Sequence, residues 1–177
     1  MWRRIQKYYP PGLDILTFSV MFGIFIYVFF MYGKLPDEIP IHFNTAGEAD
    51  DWGNKATLFG LMLIHFHAVV LMFVLNYFLI IRSADTVDSL QLINIPFVNK
   101  EELTEEQIGM VKANIARMFA ITNLILSFMF SVIYYDIIQH ALGEPDKLGF
   151  GFEVLLVLLF IPIFYYVRKT YRDVKTR

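Results

Sequence analysis

Read for its apolar and polar positions, the chain alternates between long runs with almost no charge and short segments that hold nearly all of it. Four runs have the ~20 residues that let an α-helix cross the hydrocarbon core of a bilayer. The first covers about 13–33, with Asp14 at its edge, and the second covers 57–81, interrupted only by His65, His67 and Asn76. The third runs from about 116 to 138 and carries Asn123, Ser127, Ser131 and, near its end, Asp136. The fourth, about 148–167, has Glu153 near its start and Pro162 inside. The pattern predicts an all-α integral membrane protein: one membrane domain over 1–177, with four transmembrane helices joined by loops at 34–56, 82–115 and 139–147.

Composition removes the soluble alternative. Of the 177 residues, 56% are hydrophobic and 18% charged, against roughly 45–50% and about 25% in an ordinary soluble domain. A single domain of this length has no room for so large an apolar core. Thirty aromatic residues (18 Phe, 10 Tyr, 2 Trp) and a mean hydropathy of +0.50 point the same way. The first run follows a basic arm as a secretory signal would, but it is long and no small-x-small cleavage site follows, so it reads as a retained span.

The net charge of −2 says little, because the signs are sorted along the chain. Twelve of the fifteen Lys and Arg lie in the N-terminal arm (Arg3, Arg4, Lys7), around the 82–115 loop (Arg82, Lys100, Lys112, Arg117) and in the tail from Arg168. Short loops rich in these residues stay in the cytoplasm. Both termini are therefore expected there, with 34–56 and 139–147 facing outward and the basic flanks favouring anionic inner-leaflet lipid. The absence of cysteine excludes disulfides, thiolate chemistry and cysteine-ligated zinc. There is no phosphate-cradling loop, dinucleotide fingerprint, nucleophile elbow or nucleic-acid signature.

The 34–56 loop is the most patterned polar segment. Ile39, Ile41 and Phe43 alternate with polar neighbours, which predicts a short half-buried strand; Asn44-Thr45-Ala46-Gly47 and Trp52-Gly53-Asn54 read as turns. Asp37, Glu38, His42, Asn44, Glu48, Asp50 and Trp52 are its candidate ligand- or partner-binding residues, with Asp51 adding to the acidic charge. The competing reading is that these side chains saturate the loop's own backbone.

The residues Leu35-Pro36-Asp37, Ile39-Pro40, His42-Phe43-Asn44, Gly47-Glu48, Asp50 and Trp52-Gly53 with Lys55 resemble the extracytoplasmic signature of a bacterial membrane domain of unknown function. That domain also forms the N-terminal part of the SdpI-like family of toxin-immunity proteins. The string Asn94-Ile95-Pro96-Phe97-Val98-Asn99, followed by Leu103-Thr104-Glu105-Glu106-Gln107, is similar to the loop between spans two and three of small stand-alone members. The resemblance implies a small multi-pass protein of the bacterial cytoplasmic membrane. Peptide-toxin immunity or sensing is the best-understood role in that neighbourhood, although the toxin-immunity proteins carry additional spans after this domain and the segments here after Glu101 resemble the short form.

Two further patterns carry chemistry. Thr104-Glu105-Glu106-Gln107 is a capping box, expected to start a helix that lies along the inner surface before entering span three. Within the spans, Ala116, Ala120, Asn123, Ser127 and Ser131 make one small, polar stripe suited to helix packing. His65 and Asn76 share a face of span two, whereas His67 points the opposite way. In the predicted topology His42, His65, Asp136, His140 and Glu153 all fall toward the outer side. They form a candidate divalent-metal set of imidazoles and carboxylates, although Asp136 and His140 lie on a face opposite the polar stripe.

These observations support a non-enzymatic envelope protein whose acidic loop captures a cationic peptide or a membrane-protein partner. The alternative is a small transporter or an accessory subunit of a transport complex, its path lined by His65, Asn76, Asn123 and Glu153. Four spans make a thin carrier, so that reading needs a homo-oligomer or partner. A metal-dependent enzyme on the outer face comes third, and no residue takes a catalytic role.

Overall fold

The computed structural model describes residues 1–44, 46–91, 93, 98–143 and 151–175. A one-turn helix α1 (Trp2–Ile5) precedes α2 (Gly12–Tyr32); strands β1 (Glu38–Phe43) and β2 (Ala49–Asn54) follow. Helix α3 (Thr57–Leu75) continues without a break into a π-helical segment, Asn76–Ile81. After the 3₁₀ turns Val87–Leu90 and Lys100–Glu102 come α4 (Glu105–Ala141) and α5 (Gly151–Lys175). Among the described residues four helices are long and apolar enough to span a bilayer: α2, α3 with its π extension (Thr57–Ile81), α4 and α5. The molecule is a multi-pass membrane protein, and its described residues include one small two-stranded sheet.

Helix α2 and α3 with its π extension coincide with the first two hydrophobic runs. Helix α4 extends beyond the third run. It begins well before residue 116, at Glu105, and runs 37 residues without interruption. At 1.5 Å per residue it is about 55 Å long, against a hydrocarbon core of ~30 Å. The 105–115 segment is therefore the projecting start of α4 and not a separate helix lying on the membrane surface. Its capping box forms as the spacing predicts: Thr104 Oγ1 accepts from the Gln107 amide at 3.2 Å, while Gln107 Oε1 accepts from the Thr104 amide at 2.9 Å. Helix α5 likewise runs past Val167 to Lys175. The 94–97 part of the loop motif and the 144–147 part of the last loop lie outside the described residues.

Buried apolar side chains gather in two clusters, one at each end of the bundle. The hairpin end contains Val28, Leu35, Ile39, Leu58, Met62, Tyr134 and Ile138. The far end packs Ile5 and Tyr9 of the N-terminal arm against Ile80, Ile81, Leu90 and the α4 residues Ile108, Val111 and Ile115. Between the clusters the buried residues are largely polar or small: Thr17, His65, Asn123 and Ser127. Many large apolar side chains point outward instead, Phe30 and Phe164 among the most exposed, as expected where lipid is the solvent.

Ion pairs and carbonyls fasten the far end. Lys112 on α4 is fully buried, and its ammonium donates to the Ser83 and Ala84 carbonyls at 2.7 and 3.1 Å and to Asp85 at 2.6 Å. It thus ties α4 to the chain just beyond the end of the α3 span. Gln107 Nε2 donates to the Val174 carbonyl and Asn114 to Asp173, tying the start of α4 to the end of α5.

Candidate functional site

The 34–56 loop is more ordered than a single strand would make it. Both 38–43 and 49–54 form strands, paired antiparallel from Glu38 opposite Asn54 to Phe43 opposite Ala49. The second strand covers residues that read as turn, because Trp52-Gly53-Asn54 adopts extended backbone once β1 supplies its hydrogen bonds. The register slips on either side of His42, leaving Ile41 and Asp50 without cross-strand partners. Such bulges re-aim side chains: Asp50 accepts a hydrogen bond from His42 Nδ1, and Ile41 lies across Gly53.

Asn44 organises the connecting turn. Its Oδ1 accepts from the amides of Ala46 and Glu48 at 2.9 and 3.0 Å, its own amide donates to the Glu48 carbonyl, and Gly47 adopts φ +78°. Its carbonyl-type oxygen is therefore spent on backbone, as local side chains in turns commonly are. At the base, Lys55 pairs with Asp37 at 3.2 Å and donates to the Leu35 carbonyl at 3.0 Å, while its ammonium sits 5.3 Å from the Tyr32 ring centre. Ile39 and Leu35 plug into the hairpin-end cluster. Phe43 meets the His140 ring edge-on at 5.0 Å between centres, so β1 covers the face of α4 that Asp136 and His140 share. Asp37, Glu38, Glu48, Asp50 and Asp51 remain exposed, beside Ile41 at 45% and Trp52 at 50% exposure.

The metal candidates do not converge. Among the described residues no three His, Asp or Glu side chains form a group able to hold a metal ion. His42 is on the hairpin with Asp50, and His140 Nδ1 donates to the Asp136 carbonyl at 2.8 Å. Glu153 is exposed on the first turn of α5, so it does not join the buried row of polar residues either. His65 lies deep in the bundle, stacked on Phe130 at 4.5 Å and edge-on to Phe25.

That row crosses the bundle as one stripe of inter-helix bonds. Ser127 Oγ lies 3.3 Å from the Thr17 carbonyl and 3.2 Å from His65 Nε2, so one hydroxyl bridges all three of α2, α3 and α4. Asn123 donates to the Val69 carbonyl, and Asn76 donates to the Ala116 carbonyl and to the Tyr9 hydroxyl. His67 faces outward and bonds its own helix at the Leu63 carbonyl. Sequence reasoning missed the end of this row: Asp14, read as an edge residue, is buried and accepts from the Tyr9 hydroxyl at 3.1 Å. Burial, reinforced by the Asp14 carboxylate, holds the Tyr9 hydroxyl above its ordinary pKa, so it stays a donor. The available signal was an acid inside an apolar run with a tyrosine five residues before it.

The fold and site define a class: a multi-pass membrane protein with an ordered, acidic extramembrane hairpin braced on its spans. A family model described as "Domain of unknown function (DUF1648)" matches residues 20–66, which takes in most of α2, the whole hairpin and the first half of α3. This supports the resemblance to a membrane domain of unknown function, while nothing in the match connects the chain to the toxin-immunity proteins. No curated protein and no solved structure matches the chain.

Proposed function

We propose that this is a protein of the bacterial cytoplasmic membrane, with both termini in the cytoplasm, whose hairpin acts without catalysis as an outward-facing receptor for cationic, amphipathic peptides. The observation that carries the reading is the combination of exposure and bracing. Five carboxylates stand exposed on a hairpin whose base is buried among the helices, so little ordering entropy remains to be lost on binding. Trp52 and Ile41 add apolar contact, and an exposed indole face accepts Lys or Arg. Cationic partners are steered to such a surface and like-charged ones are repelled. Sensing of, or immunity to, such a peptide follows as the biological role.

The test is binding of a synthetic cationic amphipathic peptide to the purified protein in neutral-lipid nanodiscs. Glu38→Gln combined with Asp51→Asn is expected to weaken binding about tenfold and to flatten its salt dependence. Equal affinity for the variant, or no binding by the wild type, overturns the reading. Deletion of the gene should in parallel alter sensitivity to cationic peptides.

The buried row from Asp14 through Asn76, Asn123 and Ser127 to His65 favours a second reading, a small transporter or an accessory subunit working as an oligomer or with a partner. Ion-coupled uptake into liposomes by wild type and its loss in His65→Ala would support it; failure of both liposome uptake and peptide binding would leave neither standing.

A further inference from the structure

At the end of the bundle opposite the hairpin, a cavity of about 400 Å³ opens between the N-terminal arm, α4 and α5. Its lining divides by chemistry. Gln6, Lys7 and Arg117 are its polar lining residues, and Leu13 and Ile121, with the Tyr166 ring, give it apolar surface. Arg117 Nε donates to the Tyr8 carbonyl at 2.6 Å and so holds the arm in place. Among the described residues neither Lys7 nor Arg117 forms an ion pair. The nearby acids do not neutralise them: Asp14 is buried behind Tyr9, whose hydroxyl it holds, and Asp85 is paired with Lys112. The cavity lies where α2 starts and where the α5 span gives way to Arg168 and Lys169, the level at which apolar run meets charged end.

We propose that this cavity is a binding site for one anionic phospholipid, with the phosphate held by Lys7 and Arg117 and the acyl chain laid along Leu13, Ile121 and Tyr166. Charge complementarity selects the headgroup, since two cations with no carboxylate partner among the described residues line a half-open space at the bilayer boundary. The apolar wall selects a lipid over a free anion, because water-soluble phosphate gains nothing from it. Tyr166 supplies the amphipathic ring that suits the headgroup level. The site is independent of the hairpin and holds whichever function the hairpin serves.

Native mass spectrometry of the full chain in detergent, titrated separately with phosphatidylglycerol and phosphatidylcholine, tests the proposal. Wild type should retain one phosphatidylglycerol in preference to phosphatidylcholine. Lys7→Gln, an exposed position whose change leaves the packing intact, should cut that preference about fivefold, the effect of one cation near a membrane surface. Arg117→Lys keeps the charge and should retain most of the preference, whereas Lys175→Gln, outside the cavity, should change nothing. The proposal is overturned if Lys7→Gln binds phosphatidylglycerol as wild type does, if Lys175→Gln loses as much, or if inorganic phosphate alone displaces the lipid, which would make this a free-anion site.

Discussion

A methyl group added to Gly53 would meet Ile41 Cδ1 at 2.9 Å and Cγ2 at 3.1 Å, so the glycine beside Trp52 is there to let a bulged isoleucine lie flat. Gly53→Ala should destabilise the hairpin by about 1–2 kcal/mol, because the obstructing atoms belong to a half-exposed side chain that can turn away. Asn44→Ala should cost a similar ~1–2 kcal/mol by leaving the Ala46 and Glu48 amides without their acceptor. In both variants amide exchange should quicken in β1 and β2 while the helices keep their protection; unchanged exchange in the strands would contradict the turn geometry. Turn chemistry at Asn44 and Gly47 was legible because it is local. The burial of Asp14 and Lys112 was not, since a charge can be buried only where partners from distant segments meet it.

At the scale of elements, α4 decides the architecture. Its capping box was readable from four consecutive residues, but not its continuity into span three, because Ile108, Val111 and Ile115 would serve an interfacial helix equally well. What chooses is the far-end cluster that buries them, together with the Gln107 bond to Val174. Thr104→Ala should cost about 1 kcal/mol and fray the first turn of α4 and, through Gln107, the end of α5. Limited proteolysis should then cut faster near 104–108 and in the basic tail; protection equal to wild type would mean that tertiary packing alone holds this end. The second strand was hidden for a related reason: Asp, Gly and Asn are poor strand formers that outnumber the strand-favouring Trp52, and only pairing with β1 makes the segment a strand.

For the whole molecule, apolar clusters close the two ends and a polar, small-residue layer holds the middle, an arrangement suited to helices that meet in lipid, where packing and hydrogen bonds replace the hydrophobic drive. The native chain has no cysteine, so single cysteines report orientation cleanly. Asp51→Cys should react with a membrane-impermeant maleimide in intact cells, and Glu101→Cys only after permeabilisation. The reverse pattern would invert the topology and remove the receptor reading with it. Lys112→Met should lower the thermal midpoint by only a few degrees, since Asp85 and Ala84 are exposed and water can replace the lost donor, with detergent-solubilised melting as the measurement.

The sequence by itself determined the solvent, the number of span-length helices, the turn at Asn44–Gly47 and the cap at Thr104, because each follows from local composition, spacing or backbone chemistry. Only the tertiary structure decided which polar groups are buried, that His42, His65 and His140 stand apart, and that Lys7 and Arg117 share one cavity. Those outcomes depend on contacts between segments tens of residues apart, and no local pattern encodes the distance at which two helices meet.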